Sequence, residues 1–471
     1  MEEKKFINRR EEFAGIIRAL NRKGAELIIL YGRRRIGKSR LLREINGQFP
    51  FDIFVMLEEA DYYTNLNKIT DEIASRFELP SFSPTSLKEA FRALPPGSSI
   101  VIDEISYLPE ITGEFQVIWE EIAKPNNIKI ILSGSLIRIM EDMTYSLTSP
   151  LYGRATFVVK LMPLSCRHIL EWYGTEADIE NVLLVNFVVG GIPRYLELVE
   201  IPSAEAIQNA FFSRDSVLLR EGKLLLKESF PSSLVIPKIL FSVATGYTTA
   251  TSIANSVQVP ANEISKYLSL LCDYGYVERR FPVFKGGKKD VRFYPLDRFF
   301  SFWTHFVWKF YNQIESGSPQ PALAIFNRDF NAFCGLEFER IVQEIIQTTS
   351  ILGEFEYTLI GKQWGRIPSN FQLSEGENKY EIDLCLANEN TKDILFVECK
   401  WQDSVNAPAI LKVLLEKTQY VDWNLRNRIE TFAIFAKSFK KTVEEYQGHR
   451  VICIDLNQIK HALKQQLSDE Q

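Results

Sequence analysis

Residues 32–39 carry the most specific chemical pattern of this chain, because their sequence GRRRIGKS has the glycine, lysine and serine spacing of a phosphate-binding loop. The apolar run 27–30 before it is typical of a buried strand, and residues 40–45 after it are typical of a helix. In such a loop, backbone N–H groups hold a polyphosphate, Lys38 reaches the β and γ oxygens, and Ser39 ligates Mg²⁺. The pattern predicts a nucleotide site. Its predicted contacts are Gly32, Arg33, Arg34, Arg35, Ile36, Gly37, Lys38, Ser39 and Arg40.

A second apolar strand, residues 99–102, ends in two carboxylates, Asp103 and Glu104. We expect Asp103 to hold Mg²⁺ opposite Ser39, and Glu104 to orient and deprotonate an attacking water. The strand lies far enough beyond the loop to leave room for an intervening strand. The sequence therefore predicts nucleotide hydrolysis as well as binding.

Three other side chains are candidates for contact with the γ-phosphate. Ser133 follows the apolar strand 128–132 and is predicted to sense the γ-phosphate or the lytic water. Arg154 could offset charge in the transition state, either within one chain or across a homo-oligomer, and Arg194 is placed where a lid would close. The alternative for each arginine is a surface ion pair.

Together these residues resemble the archaeal ATPase family of P-loop proteins, which are relatives of the AAA+ and STAND groups. The resemblance covers residues 6–200 and implies that the nucleotide is ATP. It also places residues 8–11 beside the adenine, so Asn8 and Arg9 are candidate base and phosphate contacts. Besides the loop and the paired carboxylates, it is carried by the segments FINRRE (6–11), LSGS (132–135), SPLYGR (149–154), LMPL (161–164) and GGIP (190–193).

The patterning of the whole chain predicts an α/β multidomain protein. Alternating strands and helices indicate a parallel sheet, with strands expected at 26–31, 51–56, 98–103, 128–133 and 155–160. The expected domains are a P-loop ATPase core (1–160), a helical lid (161–232), a winged helix (233–296), an aromatic helix with a linker (297–322) and a C-terminal α/β domain (323–471). In the aromatic helix, burial in a core is favoured over a platform for stacking bases.

Residues 249–273 indicate two helices joined by a turn, and a strand and a basic hairpin tip follow. This is the pattern of a winged helix, whose second helix can enter a DNA groove while its wing contacts phosphates. The second helix offers few groups that read bases, so we expect DNA binding that is largely independent of sequence; packing against protein is the alternative. The predicted DNA contacts are Lys266, Lys285, Lys288, Lys289 and Arg292.

The C-terminal region offers a second chemistry on a predicted hairpin. Glu398 and Lys400 are two residues apart on one strand and so share a face, and Asp383 lies on the partner strand. Two carboxylates can bind a hard divalent ion, and the lysine can orient or deprotonate water. Glu339, on a helix predicted to begin at Gly335, could supply an outer ligand.

Residues 323–440 resemble the PD-(D/E)xK nuclease superfamily, specifically the nuclease-like domain often fused behind archaeal ATPases. The resemblance rests on the order of a Gly-x-x-Phe-Glu helix, an acidic hairpin and an apolar strand ending in Glu-x-Lys; Ile382 stands where proline is usual. It implies a restriction-endonuclease-like fold that cleaves phosphodiester bonds with Mg²⁺ or Mn²⁺, or one that has kept the fold and lost the activity. Glu337 and Glu344 are expected to be solvated.

The composition, 46% hydrophobic and 24% charged with a net charge of −5, is that of an ordinary folded protein, so any site for a polyanion must be a local patch. The six cysteines form no CxxC or Cys/His cluster, which favours a reducing compartment and argues against structural zinc. No apolar run approaches the ~18 residues of a membrane span. We therefore expect a cytoplasmic protein without membrane association.

Three hypotheses follow from the sequence. The first is an ATP-hydrolysing, DNA-directed enzyme with a C-terminal metal-dependent nuclease site. The second is a nucleotide-gated, STAND-like switch whose nuclease-like domain only binds nucleic acid or partners. The third is a transcription regulator that uses the winged helix alone, which the acidic net charge and the weak second helix disfavour.

Overall fold

The computed structural model describes residues 6–108, 112–146, 149, 151–230, 233–284, 290–368 and 378–469. The predicted DNA contacts Lys285, Lys288 and Lys289 lie outside these residues. The chain divides into two compact units, Met1–Pro163 with Ile192–Arg194, and Leu164–Gly191 with Tyr195–Gln471. The domain bounds predicted inside the second unit stay predictions. No described helix is both long and apolar enough to cross a lipid bilayer.

Five described strands of the first unit form a parallel sheet in the order β2-β3-β4-β1-β5. They are β1 (Glu26–Tyr31), β2 (Ile53–Met56), β3 (Ser99–Asp103), β4 (Lys129–Gly134) and β5 (Phe157–Lys160). All five predicted strands are confirmed. Strand β1 lies between β4 and β5 and is buried along its whole length, which is why its sequence is a continuous apolar run.

Helices cover this sheet and supply the rest of the core. They are α1 (Arg10–Leu20), α2 (Lys38–Gln48), α3 (Tyr62–Arg76), α4 (Leu87–Arg92), α5 (Thr112–Val117) and α6 (Ile137–Tyr145), with a 3₁₀ turn at Ile105–Tyr107 and a π-helical segment at Ile118–Ala123. Strands β3, β4 and β1 are neighbours, so their carboxyl ends lie together at one edge of the sheet. Ligands of open α/β sheets bind at this edge.

The first part of the second unit is helical. Its helices are α7 (Cys166–Tyr173), α8 (Ile179–Val189), α9 (Pro193–Leu198, whose first two residues belong to the first unit), α10 (Ala204–Phe212) and α11 (Val217–Ser229). The segment predicted as a winged helix follows; it consists of α12 (Ile236–Ala244), α13 (Ala250–Val257), α14 (Ala261–Asp273) and the antiparallel strands β6 (Val277–Arg280) and β7 (Arg292–Pro295).

The aromatic segment lies in the core, as predicted. It consists of α15 (Arg298–Phe302), a π-helical segment (Trp303–Val307), a 3₁₀ turn (Trp308–Phe310) and α16 (Tyr311–Glu315). Phe299, Phe302 and Phe306 are fully buried, and Phe302 and Phe306 pack edge-on against Phe326 and Phe333 of the next helix. A base-stacking role for these rings is therefore excluded.

That next helix, α17 (Gln320–Thr348), corrects a prediction, because we expected a helix to begin at Gly335. Its phenylalanines extend it back towards the predicted linker, and Pro321 is tolerated in its first turn. The linker predicted within 297–322 is therefore confined to residues 316–319, between α16 and α17.

A mixed sheet follows in the order β14-β15-β12-β10-β9-β8. Its strands are β8 (Leu359–Arg366), β9 (Lys379–Ala387), β10 (Asp393–Lys400), β12 (Ile429–Ala436), β14 (Glu445–Tyr446) and β15 (His449–Ile454). A small pair, β11 (Val405–Asn406) and β13 (Phe439–Lys441), and the helices α18 (Ala407–Thr418) and α19 (Leu456–Asp469) complete the described fold. Strands β9 and β10 form the predicted antiparallel hairpin.

Candidate active sites

The phosphate-binding loop connects β1 to α2, as the sequence indicated. Two of its glycines are required by geometry. A Cβ atom on Gly32 would lie 2.7 Å from the carbonyl oxygen of Leu161, and Gly37 has a left-handed φ of 101°. A Cβ atom on Gly37 would lie 4.0 Å from Cγ of Pro193, so Pro193 borders the loop. The next residue, Arg194, is exposed.

Lys38 is buried inside the loop. Its Nζ donates to the carbonyl oxygens of Gly32 (3.0 Å) and Arg33 (3.3 Å) and lies 3.6 Å from a carboxylate oxygen of Glu104. Burial lowers the pKa of Lys38, and the carboxylates of Glu104 and Asp103 oppose that shift. The ammonium group is thus held by weak acceptors that the oxygens of a phosphate can replace.

Asp103 is fully buried at the end of β3. One carboxylate oxygen accepts a hydrogen bond from Ser39 Oγ (2.7 Å), and the other accepts one from Ser133 Oγ (2.6 Å). The pairing of Asp103 with Ser39 is the one expected of a magnesium site. Ser133 corrects our prediction, because its fully buried hydroxyl orients Asp103 instead of pointing to a γ-phosphate.

Glu104 has a left-handed backbone with a φ of 61°, which ends the strand alternation and turns its carboxylate towards Lys38. The backbone N–H (3.1 Å) and the hydroxyl (2.7 Å) of Ser135 both donate to this carboxylate. The sequence did not predict this role of Ser135, although Ser135 belongs to the motif LSGS (132–135). The sequence feature that could have indicated this role is the pair of serines flanking a glycine at a strand end, because each serine can donate a hydrogen bond to one of two adjacent carboxylates.

Arg9 also departs from the prediction. It is buried, and its guanidinium donates to the carbonyl oxygens of Met162 (2.6 Å) and Ile36 (3.4 Å) and pairs with Glu12 (3.2 Å). Burial lowers the pKa of Arg9, and Glu12 opposes that shift. Arg9 therefore fixes the loop backbone and is not aimed at a nucleotide. Asn8, which precedes it, is half-buried with a φ of 60°.

The remaining arginines have separate surroundings. Arg154 pairs with Glu120 at 3.2 Å, which is the ion-pair alternative considered from the sequence. Arg40 pairs with Glu44 at 2.8 Å along helix α2. Within the loop, Arg34 is exposed, whereas Arg33 and Arg35 are half-buried.

In the winged helix, Lys266 is exposed on α14, as contact with DNA would require. Arg292 contacts the C-terminal sheet. Its guanidinium pairs with Glu381 of strand β9 and lies 4.6 Å from the ring centre of Trp364. Arg292 thus joins the hairpin to the C-terminal sheet, and its contact with DNA stays a prediction.

The C-terminal hairpin brings together the residues predicted for the second site. Lys400 Nζ lies 2.8 Å from a carboxylate oxygen of Glu398, and Asp383 accepts a hydrogen bond from the N–H of Cys399 at 2.8 Å. Burial raises the pKa of Asp383 to about 8, and repulsion from Glu339 and Glu398 adds to the shift. Burial alone would lower the pKa of Lys400, but Glu398 outweighs it and the pKa rises. The predicted geometry of the hairpin is confirmed.

Lys362 of strand β8 is a member of this site that sequence reasoning missed. Its Nζ lies 2.6 Å from Glu339 and 2.7 Å from Glu381, and its side chain is only 7% exposed. Burial would lower its pKa, yet Glu339, Glu381 and Asp383 together raise it. A lone lysine in a half-apolar strand was the only available signal.

Lys417 of helix α18 was also missed. Its Nζ lies 3.4 Å from both carboxylate oxygens of Glu398. Glu398 therefore has two ammonium neighbours, Lys400 and Lys417. No motif in the sequence links Lys417 to the hairpin.

Carboxylate oxygens are the ligands that Mg²⁺ and Mn²⁺ prefer, so Asp383, Glu398 and Glu339 fit a divalent ion chemically. In this conformation, however, no three His, Cys, Asp or Glu side chains of the described residues are spaced to enclose a metal ion. Lysine ammonium groups contact Glu339 and Glu398 instead. The donor set fits, while its present arrangement is that of an ion-pair cluster.

Glu337 and Glu344 are not the solvated charges that we expected. Glu337 is 3% exposed and pairs with Arg340 (2.8 Å) and Arg298 (3.4 Å). Glu344 accepts hydrogen bonds from Cys166 N–H (2.6 Å) and Arg298 (3.2 Å). Both face inward because α17 packs against other elements of the second unit.

We call the cluster of Asp383, Glu398, Glu339, Lys362 and Lys400 the acidic site. A cavity of about 210 Å³ within the second unit adjoins it. The winged helix contributes Arg280, Arg292 and Tyr294 to its lining, and the C-terminal elements contribute Glu339 and Lys362. Two of the acidic site's residues are therefore reached from the cavity.

Comparisons with known proteins agree with this organisation. Residues 24–170 match a family model described as an AAA domain, and residues 303–410 match one described as "Archaea bacterial proteins of unknown function". The chain is 30% identical over 406 residues to an uncharacterized protein of Methanocaldococcus jannaschii, covering 84% of this chain and 88% of that protein. A 39-residue stretch is 51% identical to an uncharacterized ATP-binding protein of the same archaeon, covering 8% of this chain and 66% of that protein.

Among solved structures, a Walker-type ATPase of Pyrococcus abyssi has a TM-score of 0.49 and 20% identity, covering 64% of this chain and 96% of that chain. The parallel sheet, its phosphate loop and the AAA match define the first unit as an AAA-type ATPase domain. The chain belongs to the archaeal ATPase family of P-loop proteins, together with its M. jannaschii relative, and joins this domain to a separate C-terminal mixed-sheet domain.

Proposed function

We propose that this protein is an ATP-hydrolysing enzyme that acts on DNA and cleaves phosphodiester bonds at its C-terminal site. The observation that carries the proposal is the grouping of Asp383, Glu398 and Lys400 on two adjacent strands, with Glu339 near them. Clusters of buried ionisable groups are uncommon where the role is purely structural, whereas phosphoryl chemistry requires such a cluster.

At the first site, Lys38 binds the β and γ oxygens of ATP. Ser39 and Asp103, already hydrogen-bonded to each other, hold Mg²⁺, which neutralises phosphate charge when it is bound. Glu104, fixed by Ser135, takes a proton from the attacking water. The exposed Arg194, beside the border of the loop, is the candidate that stabilises charge on the γ-phosphate.

At the second site, Asp383 and Glu398 supply oxygen ligands and Glu339 supplies an outer ligand. A divalent ion there, Mg²⁺ or Mn²⁺, polarises the scissile phosphate and lowers the pKa of water. Lys400 lies on the same strand face as Glu398, so it orients the water or steadies the charged phosphate.

The DNA contact rests on the winged helix. Helix α14 exposes Asn262, Ser265 and Lys266 and offers no arginine for guanine. We therefore propose binding through phosphates, with little dependence on sequence.

The test is incubation with linear, circular, single-stranded and branched DNA, in Mg²⁺ or Mn²⁺, with and without ATP. Wild type is expected to cut at least one substrate, and Lys400→Ala to lose at least about 10²-fold in rate, since one positioned charge is lost. The matched control is Lys379→Ala, an exposed lysine at the start of β9. A Lys400→Ala protein that cuts as fast as wild type removes the nuclease assignment.

A second function is favoured by one observation, the lysine contacts to Glu339 and Glu398. These contacts suit a nucleotide-gated switch whose C-terminal domain binds nucleic acid or a partner without cutting it. ATP hydrolysis that ignores added DNA, together with no metal-dependent cleavage of any substrate, would establish this function instead.

A further inference from the structure

We propose that Lys362 is an internal counter-ion of the acidic site, held in place of a divalent metal ion and fixed there by the winged-helix hairpin. The inference rests on the proposed metal-binding role of Asp383, Glu398 and Glu339. It adds a regulatory step to the proposed function, because a metal ion enters the acidic site only when the side chain of Lys362 moves away from it.

Lys362 contacts two carboxylates directly. Its ammonium group lies 2.6 Å from Glu339 and 2.7 Å from Glu381, which are the distances of strong, charge-assisted hydrogen bonds. The side chain of Lys362 is only 7% exposed, so water screens the contact with Glu339 weakly, whereas Glu381 is 39% exposed. The ammonium group occupies one oxygen of Glu339 and repels a second cation, so a metal ion that binds Glu339 competes with it.

A β-bulge in strand β8 lies at Lys362, opposite Asp383 and Leu384 of β9. Gly361 pairs with Cys385, whereas Gln363 pairs with Ile382, so two residues of β9, Asp383 and Leu384, oppose the single residue Lys362. A bulge of this kind changes the direction of a side chain and is frequent beside active sites. The chain thus departs from a regular ladder at the point where Lys362 meets Asp383.

The hairpin is hydrogen-bonded to this segment of β8. Strand β8 is at the edge of its sheet, and the loop after β6 bonds to it: Val283 N–H donates to the carbonyl oxygen of Lys362 (3.1 Å), and Phe284 N–H donates to the side chain of Gln363 (3.2 Å). Phe284 also stacks on Trp423, with ring centres 5.2 Å apart. The backbone of Lys362 is therefore tied to the winged helix.

Glu381 completes the link. Its two oxygens receive different cations, Lys362 from β8 and Arg292 from the hairpin strand β7. The hairpin and the counter-ion therefore share one carboxylate. A change in the position of the hairpin alters both the backbone and the ion pair of Lys362.

The experiment is a Mn²⁺ titration of the nucleotide-free full chain at mildly alkaline pH, with free Mn²⁺ measured by electron paramagnetic resonance. The variant Lys362→Met keeps the length of the side chain and removes its charge. We expect it to bind Mn²⁺ at least about tenfold more tightly than wild type, because a competing cation in contact with a ligand is lost. Adding Asp383→Asn to this variant should abolish the gain, which assigns it to the acidic site.

The control is Lys379→Met, an exposed lysine on neighbouring strand β9, which should leave Mn²⁺ affinity unchanged. A gain of affinity cannot come from misfolding, and circular dichroism verifies each variant. Equal Mn²⁺ affinity of wild type and Lys362→Met, both dependent on Asp383, overturns the inference and leaves the metal role intact. If neither protein binds Mn²⁺, both the inference and the proposed metal role fail.

The hold of the hairpin is tested separately with Phe284→Ala, which removes the ring that stacks on Trp423. Loosening this contact should raise Mn²⁺ affinity by a smaller factor, about two- to threefold, because Lys362 keeps its charge and loses part of its restraint. An unchanged affinity in Phe284→Ala overturns the role of the hairpin.

Discussion

The two candidate sites both place lysines near carboxylates, but the groups that hold the lysine ammonium differ between them. Lys38 of the phosphate loop donates to backbone carbonyls, and its nearest described carboxylate, Glu104, is 3.6 Å away. Lys362 and Lys400 of the C-terminal site contact carboxylates directly, at 2.6–2.8 Å. The first site therefore keeps a positive charge ready for an anion, whereas the second neutralises its own negative charge against a cation.

This contrast teaches how burial is used at each site. When a lysine is held by neutral acceptors, binding of a phosphate is favourable in free energy, because a charge-assisted hydrogen bond replaces weaker ones. A lysine held by carboxylates already has that bond, so a ligand must first break it. The first site is ready to bind, and the second needs a step that frees its carboxylates.

The largest effect that tests this contrast is expected for Lys38→Ala. Removing the buried cation should lower ATP hydrolysis by about 10³-fold, since both phosphate binding and charge stabilisation are lost. Phosphate release at saturating ATP measures it, with Lys23→Ala, an exposed lysine, as the control. Hydrolysis within a few-fold of wild type would show that Lys38 is not the phosphate ligand.

Glu104→Gln should separate binding from turnover. The amide keeps the size of the side chain and cannot accept a proton, so kcat should fall by about 10²-fold while ATP still binds. Fluorescent-nucleotide binding and phosphate release measure the two effects, and Glu59→Gln, which is exposed, is the control. If ATP binding falls as far as kcat does, Glu104 is a ligand and not a base.

The acidic site predicts a pH dependence of stability. The pKa of Asp383 is raised to about 8 in the folded protein, so between its ordinary pKa and 8 the folded chain keeps a proton that the unfolded chain has released. The free energy of unfolding should therefore fall as pH rises through this range, by about 1 kcal/mol per pH unit from this group.

Urea unfolding followed by tryptophan fluorescence, at a series of pH values, measures this slope. Asp383→Asn cannot ionise and should flatten it by the same amount. A slope that is identical in wild type and Asp383→Asn contradicts the raised pKa and the crowding of carboxylates that causes it.

The smallest effect is expected for the two serines beside β4. Ser135→Ala removes one of two donors to Glu104 and should lower kcat by about three- to tenfold, with little change in KM. Ser133→Ala is the matched variant, and it should act through Asp103 by raising the Mg²⁺ concentration needed for half-maximal rate. Steady-state kinetics at varied Mg²⁺ distinguish them, and identical behaviour of the two variants would refute the separate assignments.

Much of the first unit could be predicted from the sequence because its information is local. The phosphate loop, its strand and its helix are contiguous, and a buried parallel strand is recognised by its apolar run. The partner of Arg9 could not be predicted from local sequence. Whether its guanidinium binds a ligand or a distant carbonyl, such as that of Met162, depends on tertiary contacts.

The second unit was predictable where strand alternation applies, as for Glu398 and Lys400, and not beyond it. Lys362 and Lys417 reach the site from other elements, and no spacing rule connects them to the hairpin. The true start of α17 was concealed for the same reason, because Phe326 and Phe333 extend the helix by packing against an earlier segment.

The most direct test of two separate phosphate-chemistry sites is Asp383→Asn, assayed in one tube for DNA cleavage in Mn²⁺ and for ATP hydrolysis. The account predicts that cleavage falls by at least about 10²-fold while ATP hydrolysis stays within about twofold of wild type, because the altered ligand belongs to the second site alone. An Asp383→Asn protein that cuts DNA at the wild-type rate would contradict it.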